Sequence, residues 1–332
     1  MKKSIIAATL AVVLAVFTLI GCGSSSDKIT FVLDWTPNTN HTGVYVAQEL
    51  GFFEDAGLEV EIVQPPDDGA EAMVGSGQAQ FGVSFQDTMA PMMTGAEKSI
   101  PITAVAAVIQ HNTSGIMSAK GSGITSPKGM EGKTYATWDL PIEQAIIKRC
   151  MEDEGADFSK LKMIPEYVDD EVAALKAGKI QSIWVYYAWA GINAKVKNFP
   201  IDYFAFRDVD EIFDYYSPVI IANDDFLAKN PDTAKAFLAA VAKGYGYAIE
   251  DPAGAADLML QANPELDKKL VKASQKYLAK EYQAEAEEWG AIDTDRWNNF
   301  YNWLNENKLV EEDIPENTGF TNEFLPGPSI YR

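Results

Sequence analysis

Short runs of apolar, often β-branched residues alternate with longer amphipathic segments along the first two thirds of the chain. The short runs are typical of buried strands, and the apolar spacing between them is typical of helices. This alternation predicts an α/β fold in which helices cover both faces of a parallel sheet. The predicted strands cover residues 29–33, 59–63, 80–84, 134–136, 183–185 and 201–206.

Two apolar runs, 102–110 and 213–222, are longer than the others and could carry the chain into a second lobe and back. A chain of 332 residues also exceeds one comfortable hydrophobic core. We therefore predict a two-lobe clamshell with two hinge crossings, in which residues 28–110 and 218–332 form lobe 1 and residues 111–217 form lobe 2. The last third has helical periodicity and is predicted to pack round lobe 1.

The N-terminus carries the pattern of a secretory signal. Lys2 and Lys3 precede an apolar run over residues 5–20, which is shorter than the about 20 residues that a membrane span needs. The run ends at Cys22, which small residues precede and a Gly/Ser segment follows, as in a bacterial lipobox. We predict a lipoprotein signal peptide over 1–21, a tether over 22–27, lipid on Cys22, and an extracytoplasmic protein anchored to the cell membrane.

Composition excludes several classes of partner. The net charge of −21 and the lack of a basic cluster argue against nucleic acid and against an anionic membrane surface. With Cys22 lipidated, Cys150 has no disulfide partner, and His41 and His111 are the chain's two histidines, so a zinc site is not expected. We predict a monomer without metal or cofactor that binds a small molecule and reaches the membrane through its lipid.

The loop 34–43 is the first candidate for ligand binding, because it joins a predicted strand to a helix, where open α/β sheets hold their ligands. A second interpretation stays open, in which Trp35 packs on the core and the asparagines only cap the helix. Four separate strand ends carry aromatic and amide side chains, which favours a site. The candidate ligand-binding residues are Trp35, Asn38, His41, Gln86, Trp138, Glu143, Tyr186, Tyr187, Trp189, Asp214 and Tyr215.

This set of side chains suits a flat, uncharged or weakly basic heteroaromatic ring. Aromatic faces would sandwich the ring, while amides and a carboxylate would bind its N–H groups and ring nitrogens. No arginine or lysine occurs in these loops, so an anion suits them poorly.

The motifs at 33–43, 51–58, 105–110, 184–189 and 214–219 resemble those of the pyrimidine-precursor proteins of thiamine metabolism. That family includes yeast-type pyrimidine synthases and substrate-binding lipoproteins of bacterial ABC importers. The resemblance implies a type II periplasmic-binding-protein fold, ABC permease subunits as partners and, for the importers, a formylaminopyrimidine or hydroxymethylpyrimidine ligand. The residues that fall on the matching cleft motifs are Trp35, Asn38, His41, Tyr187, Trp189, Asp214 and Tyr215.

The chain departs from the family in two ways. It lacks the cysteine-rich cluster of the synthase branch, so we expect no catalytic activity. Ala190 also stands where many pyrimidine-binding relatives have an acidic residue. Alternative ligands are therefore a riboflavin-like heterocycle, or nitrate, a sulfonate or taurine on the same fold, and a further alternative is an exported thiaminase-like enzyme that uses Cys150.

Overall fold

The computed structural model describes residues 27–94 and 100–328. The predicted signal peptide, the lipid-bearing Cys22 and residues 22–26 of the tether lie outside the described residues. Among the helices that are described, none is long and apolar enough to cross a membrane.

The first sheet forms the centre of lobe 1. Its strands run in the order β2-β1-β3-β10-β4, with β1 parallel to β2 and β3, and with β10 antiparallel to β3 and β4. The sheet is therefore mixed and not all parallel, because β10 brings the chain back from lobe 2. The strands are β1 (Asp27–Val32), β2 (Leu58–Val63), β3 (Phe81–Ser84), β4 (Ile102–Ala107) and β10 (Val219–Asn223).

The second sheet forms the centre of lobe 2 and repeats this plan. Its order is β7-β6-β8-β5-β9, with parallel pairing of β6 to β7 and β8, and antiparallel pairing of β5 to β8 and β9. The strands are β5 (Ser114–Ala119), β6 (Thr134–Thr137), β7 (Lys162–Pro165), β8 (Ser182–Tyr186) and β9 (Ile201–Ala205). Two mixed sheets joined by two crossings make the predicted two-lobe periplasmic-binding-protein fold.

Twelve helices cover the two sheets within the described ranges. Lobe 2 carries α5 (Pro141–Asp153), α6 (Glu171–Ala177) and α7 (Ile192–Val196). The last four helices of the described chain form the predicted helical segment, and lobe 1 carries these four and the remaining five. These nine helices are α1 (Thr42–Glu49), α2 (Phe52–Asp55), α3 (Gly69–Gly75), α4 (Gln86–Met93), α8 (Asp224–Lys229), α9 (Pro231–Glu250), α10 (Pro252–Ala262), α11 (Lys268–Leu278) and α12 (Thr294–Glu306).

Strands β5 and β7 were not expected from the sequence. Strand β5 is made largely of serine, glycine, alanine and methionine, a composition with weak strand propensity, yet it lies between β8 and β9. Glycine is required at position 115, since a Cβ there would collide with the backbone of Phe204 and Ala205 on β9. The two long apolar runs each contain one strand and one crossing. The predicted lobe limits at 110 and 218 stay predictions.

Close packing of α1 against α9 fixes the loop that precedes α1. A Cβ at Gly43 would overlap the ring of Tyr245, and one at Gly244 would overlap the carbonyl of Gly43. The two helices therefore approach more closely than side chains would allow. From α9 the Tyr245 hydroxyl donates to the carbonyl of Asn40 at 2.5 Å, and Tyr282, which follows α11, donates its hydroxyl to the carbonyl of Thr39 at 2.6 Å.

Candidate functional site

A cavity of about 550 Å³ lies between the two lobes at the ends of their strands. This volume is within the range of small-molecule sites. Six of the candidate ligand-binding residues line it, together with residues that the sequence did not single out. The six are Trp35, Asn38, Trp138, Glu143, Tyr186 and Trp189.

The loop before α1 is held by a histidine that stays out of the cavity. His41 is buried, and its Nδ1 accepts the backbone N–H of Asn38 at 3.2 Å. Its Nε2 therefore carries the proton that it donates to Asp34 Oδ1 at 2.6 Å. The Asn38 side chain accepts the N–H of Asn40 at 2.9 Å. These bonds hold Asp34, Trp35 and Asn38 at the cavity wall.

Glu143 does the same for the facing loop of lobe 2. Its carboxylate accepts the Thr137 hydroxyl at 2.9 Å and the backbone N–H of Trp138 at 3.1 Å, and it also accepts the hydroxyl of Tyr135. The backbone N–H of Leu140 is a further donor, at 3.3 Å. Both carboxylate oxygens thus have partners within lobe 2, and burial together with this carboxylate raises the pKa of Tyr135. Glu143 therefore positions Trp138.

Aromatic rings from both lobes form the walls of the cavity. Phe85 of lobe 1 stacks on Tyr186 of lobe 2 with ring centres 5.6 Å apart. The ring centre of Trp138 lies 5.7 Å from that of the buried Trp184. Trp35 and Trp138, one from each lobe, are 38% and 40% exposed although each is a large apolar side chain. Unlike core tryptophans, these two rings leave a face open for a ligand.

The structure places Gln86 and Tyr215 behind the cavity wall. Gln86 is buried, donates to the carbonyl of Trp297 at 2.9 Å and accepts the N–H of Tyr216 at 3.0 Å. Tyr215 stacks on Phe300 with ring centres 4.1 Å apart. Both residues join the start of α4 and the second crossing to α12, and neither is among the cavity-lining residues.

Tyr187 and Asp214 lie at the hinge and do not line the cavity. Tyr187 packs on Tyr203 and Tyr277, with ring centres 4.7 and 5.5 Å away. Asp214 accepts the backbone N–H of Asn112 at 2.9 Å and pairs with His111 at 2.7 Å. The sequence brought these residues into the candidate set because they follow strand ends, and only the tertiary structure shows on which side of the hinge they lie.

The hinge network links both crossings to the helical segment. His111 Nε2 also pairs with Glu285 at 2.8 Å, and Arg207 of lobe 2 pairs with Glu281 of lobe 1 at 3.5 Å. The hydrogen bond to Asp214 is the largest cause that raises the pKa of His111, and Glu285 adds to it. A protonated His111 therefore fits between the two carboxylates.

Sequence reasoning missed most of the other lining residues, and Phe85, Asp87 and Trp184 are three of them. Phe85 and Asp87 follow β3 directly, so their position after a strand end could have identified them as candidate ligand-binding residues. Trp184 lies inside β8 and gave no such signal. Burial raises the pKa of Asp87 to about 6, and Glu71 contributes in the same direction.

The electrostatic character of the cavity is acidic. Four carboxylates line it, and no lysine or arginine of the described residues does; the four are Asp34, Asp87, Glu143 and Glu171. Among the parts of the chain that the structure describes, no group of acidic, histidine or cysteine residues has the arrangement of a metal site. Cys150 lies buried on α5, away from the cavity, and burial raises the pKa of its thiol.

Comparison with known proteins finds a family model and relatives that each match most of this chain. A family model described as "NMT1/THI5 like" matches residues 38–255, well over half of the chain. A formylaminopyrimidine-binding protein of Halalkalibacterium halodurans is 25% identical over 330 residues, which cover 94% of this chain and 97% of that protein. The 4-amino-5-hydroxymethyl-2-methylpyrimidine phosphate synthase THI11 of Saccharomyces cerevisiae is 28% identical over 259 residues, 74% of either chain.

Solved structures share the fold at lower identity. The ligand-binding component of an ABC-type import system from Staphylococcus aureus superposes with a TM-score of 0.63, 16% identity, and coverage of 92% of this chain and 98% of that one. The alkanesulfonate-binding protein SsuA of Xanthomonas axonopodis pv. citri gives a TM-score of 0.67 at 9% identity and covers 89% and 98%. These likenesses establish the periplasmic-binding-protein fold.

The expectation that the protein has no catalytic activity is contradicted by the relatives. Several of them, from yeast, other fungi and Legionella pneumophila, are named pyrimidine phosphate synthases. Family membership therefore does not separate binding proteins from enzymes. The missing cysteine cluster was too narrow a criterion, because it tests one chemistry and not catalysis in general.

Proposed function

We propose that this chain, which belongs to the NMT1/THI5-like family, binds a pyrimidine-type thiamine precursor outside the cytoplasm and delivers it to an ABC permease. The relative named for formylaminopyrimidine binding supports the ligand class, and the importer component with the same fold supports the delivery step. The ligand is a flat heteroaromatic ring with hydrogen-bond donors, of the formylaminopyrimidine or hydroxymethylpyrimidine kind.

The composition of the cavity wall is the observation that carries this proposal. Tryptophan and tyrosine rings from both lobes offer faces on which a planar ring stacks. The polar lining groups include carboxylates, which accept hydrogen bonds, and no basic side chain of the described residues faces them. An amine-bearing ring matches this wall. Nitrate and sulfonates, the anionic alternatives, would meet carboxylates and no cation.

Lobe closure follows from the division of the site between the two lobes. Trp35 and Asn38 belong to lobe 1, whereas Trp138 and Trp189 belong to lobe 2. A ligand that contacts all four stabilises the arrangement in which the lobes approach each other. A permease that binds the closed form selectively would then distinguish ligand-loaded protein from empty protein. The lipobox at Cys22 supports attachment to the membrane next to such a permease.

Isothermal titration calorimetry of the purified mature chain tests the ligand class. The panel is 4-amino-5-hydroxymethyl-2-methylpyrimidine, its formylamino relative, thiamine, riboflavin, taurine and nitrate, and each sample is afterwards analysed for products by mass spectrometry. We expect binding tighter than millimolar for one of the two pyrimidines, and none for taurine or nitrate. Absence of binding to both pyrimidines would contradict the proposal.

A larger fused ring is the second candidate, and Ala190 is the observation that favours it. Ala190 lines the cavity where the resemblance predicts an acidic side chain, so its methyl group takes up less volume than a carboxylate would and offers no hydrogen-bond acceptor. Riboflavin binding without pyrimidine binding in the same panel would select this candidate.

A further inference from the structure

One carboxylate at the cavity has an oxygen without a partner. Asp87 lies in the first turn of α4 and lines the cavity, and its Oδ1 is buried without a hydrogen-bond partner among the described residues. An unsatisfied buried acceptor destabilises a protein, so native structures rarely keep one without a use. Trp184, across the cavity on β8, has a buried indole N–H in the same condition.

Two of the other three lining carboxylates already accept hydrogen bonds from the protein itself. Asp34 binds His41, and Glu143 binds the loop that carries Trp138. Glu171 remains, on lobe 2, where burial raises its pKa. Asp87 and Glu171 are therefore the two carboxylates to compare as ligand acceptors.

The surroundings of Asp87 contain acids and phenols. Glu71 approaches from α3, Tyr215 from the second crossing, Tyr186 from lobe 2 and Tyr301 from α12. Glu71 already accepts the hydroxyl of Ser84 at 2.5 Å, and Tyr301 donates to the carbonyl of Gln86 at 3.0 Å. The Tyr215 hydroxyl is also buried without a hydrogen-bond partner and lies close enough to lower the pKa of Asp87, so it can donate to one lone pair of the carboxylate and leaves the others to a ligand. None of these four neighbours is a cation that would pair with Asp87.

We propose that Asp87 determines ligand specificity by accepting a hydrogen bond from the exocyclic amine of the bound ring, a role that rests on the function proposed above. The acceptor that Ala190 does not supply from lobe 2 then comes from lobe 1, at the start of α4. The ligand class is narrowed by this assignment to rings with an amino group. A ring with a carbonyl at that position would bind poorly, because its oxygen and the Asp87 carboxylate are both hydrogen-bond acceptors.

A double-mutant cycle between protein and ligand tests this assignment. The protein variants are wild type and Asp87→Asn, and the probes are 4-amino-5-hydroxymethyl-2-methylpyrimidine and 5-hydroxymethyl-2-methylpyrimidine, which lacks the amine. At pH 7.5 we expect Asp87→Asn to weaken binding of the amino probe roughly 10- to 100-fold, because the hydrogen bond to a charged carboxylate becomes at best a bond to a neutral amide oxygen. The probe without the amine should bind both proteins within about twofold of each other.

Asp139→Asn is the matched control. It removes one negative charge beside Trp138 without altering the cavity lining, and asparagine tolerates its positive φ of 62°. We expect the control to bind the amino probe as wild type does. Thermal melts of each variant check that the fold is kept.

Each other outcome has a defined meaning. If wild type binds the amino probe and Asp87→Asn binds it equally well, the assignment of Asp87 is wrong while the proposed function stands. If Glu171→Gln shows the amine-dependent loss instead, the acceptor is on lobe 2 and the assignment is also wrong. If wild type binds neither probe nor the formylamino relative, the proposed function itself fails.

Discussion

Two groups of polar and aromatic residues lie where the lobes meet, and they differ in how their polar atoms are satisfied. At the hinge, His111 pairs with both Asp214 and Glu285, and Arg207 pairs with Glu281. At the cavity, Asp87 and Trp184 keep buried polar atoms without partners among the described residues. Satisfied groups hold a structure together, whereas unsatisfied ones in a cavity are available to a ligand.

The same comparison explains why aromatic residues alone did not locate the site. Tyr187 and Trp189 are two residues apart after β8, yet Tyr187 packs into the hinge cluster and Trp189 lines the cavity. The turn over Tyr187–Gly191 is a π-helical turn, which rotates successive side chains differently from an α-helix. If this division is correct, variants at the two places should have different consequences.

The largest effect is expected at Glu143. Glu143→Ala would leave four donor groups of lobe 2 without their acceptor, so we expect a loss of about 3 kcal/mol in the free energy of unfolding and weaker ligand binding through Trp138. Denaturant unfolding measures the loss. Glu152→Ala on the same helix is the control, because its pair with Lys148 is exposed, and it should change stability by less than about 0.5 kcal/mol. Equal losses would show that the Glu143 contacts do not stabilise the loop.

The second-largest effect is expected when an aromatic ring is removed from the cavity wall. Trp35→Ala and Trp189→Ala are each expected to weaken ligand binding by roughly 1–3 kcal/mol, because each removes an aromatic face from the cavity. Tyr187→Phe, which keeps the ring in the hinge cluster, should leave the affinity unchanged. Calorimetry with the best ligand of the panel measures all three. Unchanged affinity in both tryptophan variants would place the ligand elsewhere.

The pH dependence of binding sharpens the comparison further. The pKa of Asp87 is raised to about 6, so its carboxylate is ionised at pH 7.5 and mostly protonated at pH 5. Affinity for an amine-bearing ring should therefore fall as the pH drops through 6, by about tenfold per pH unit below the pKa. The Asp87→Asn variant reports any titration of the ring itself. A parallel pH profile in both proteins would exclude Asp87 as the titrating group.

The smallest effect concerns stability at the hinge. The pKa of His111 is raised in the folded protein, so its ion pairs stabilise the fold fully below the unfolded pKa of about 6.5 and lose that contribution as the pH rises through the higher folded value. His111→Gln should therefore destabilise more at pH 6 than at pH 9. Because His111 is partly exposed, we expect less than about 1 kcal/mol. Thermal unfolding at the two pH values measures the difference, and an equal loss at both would mean that His111 acts without its charge.

The alternation of apolar runs with helical segments was sufficient to predict most of the fold. In buried strands apolar residues alternate or run continuously, and in buried helices they recur about every 3.6 residues. Strands β1, β2, β3, β6 and β8 could therefore be located from their own residues. Strand β5 could not, because its small residues are buried by β8 and β9 on either side. Its pairing depends on residues 64 to 90 positions away.

The sequence by itself determined which chemistry the molecule carries: strand-end loops rich in aromatic rings and amides, with a carboxylate and with no arginine or lysine among them. Only the tertiary structure decided which of these groups face the cavity. His41 and Glu143 turned out to bind their own loops, Asp214 to bind the hinge, and Asp87 to keep a free oxygen. The physical reason is that hydrogen-bond satisfaction depends on distances between residues remote in the chain, and a sequence pattern does not contain these distances.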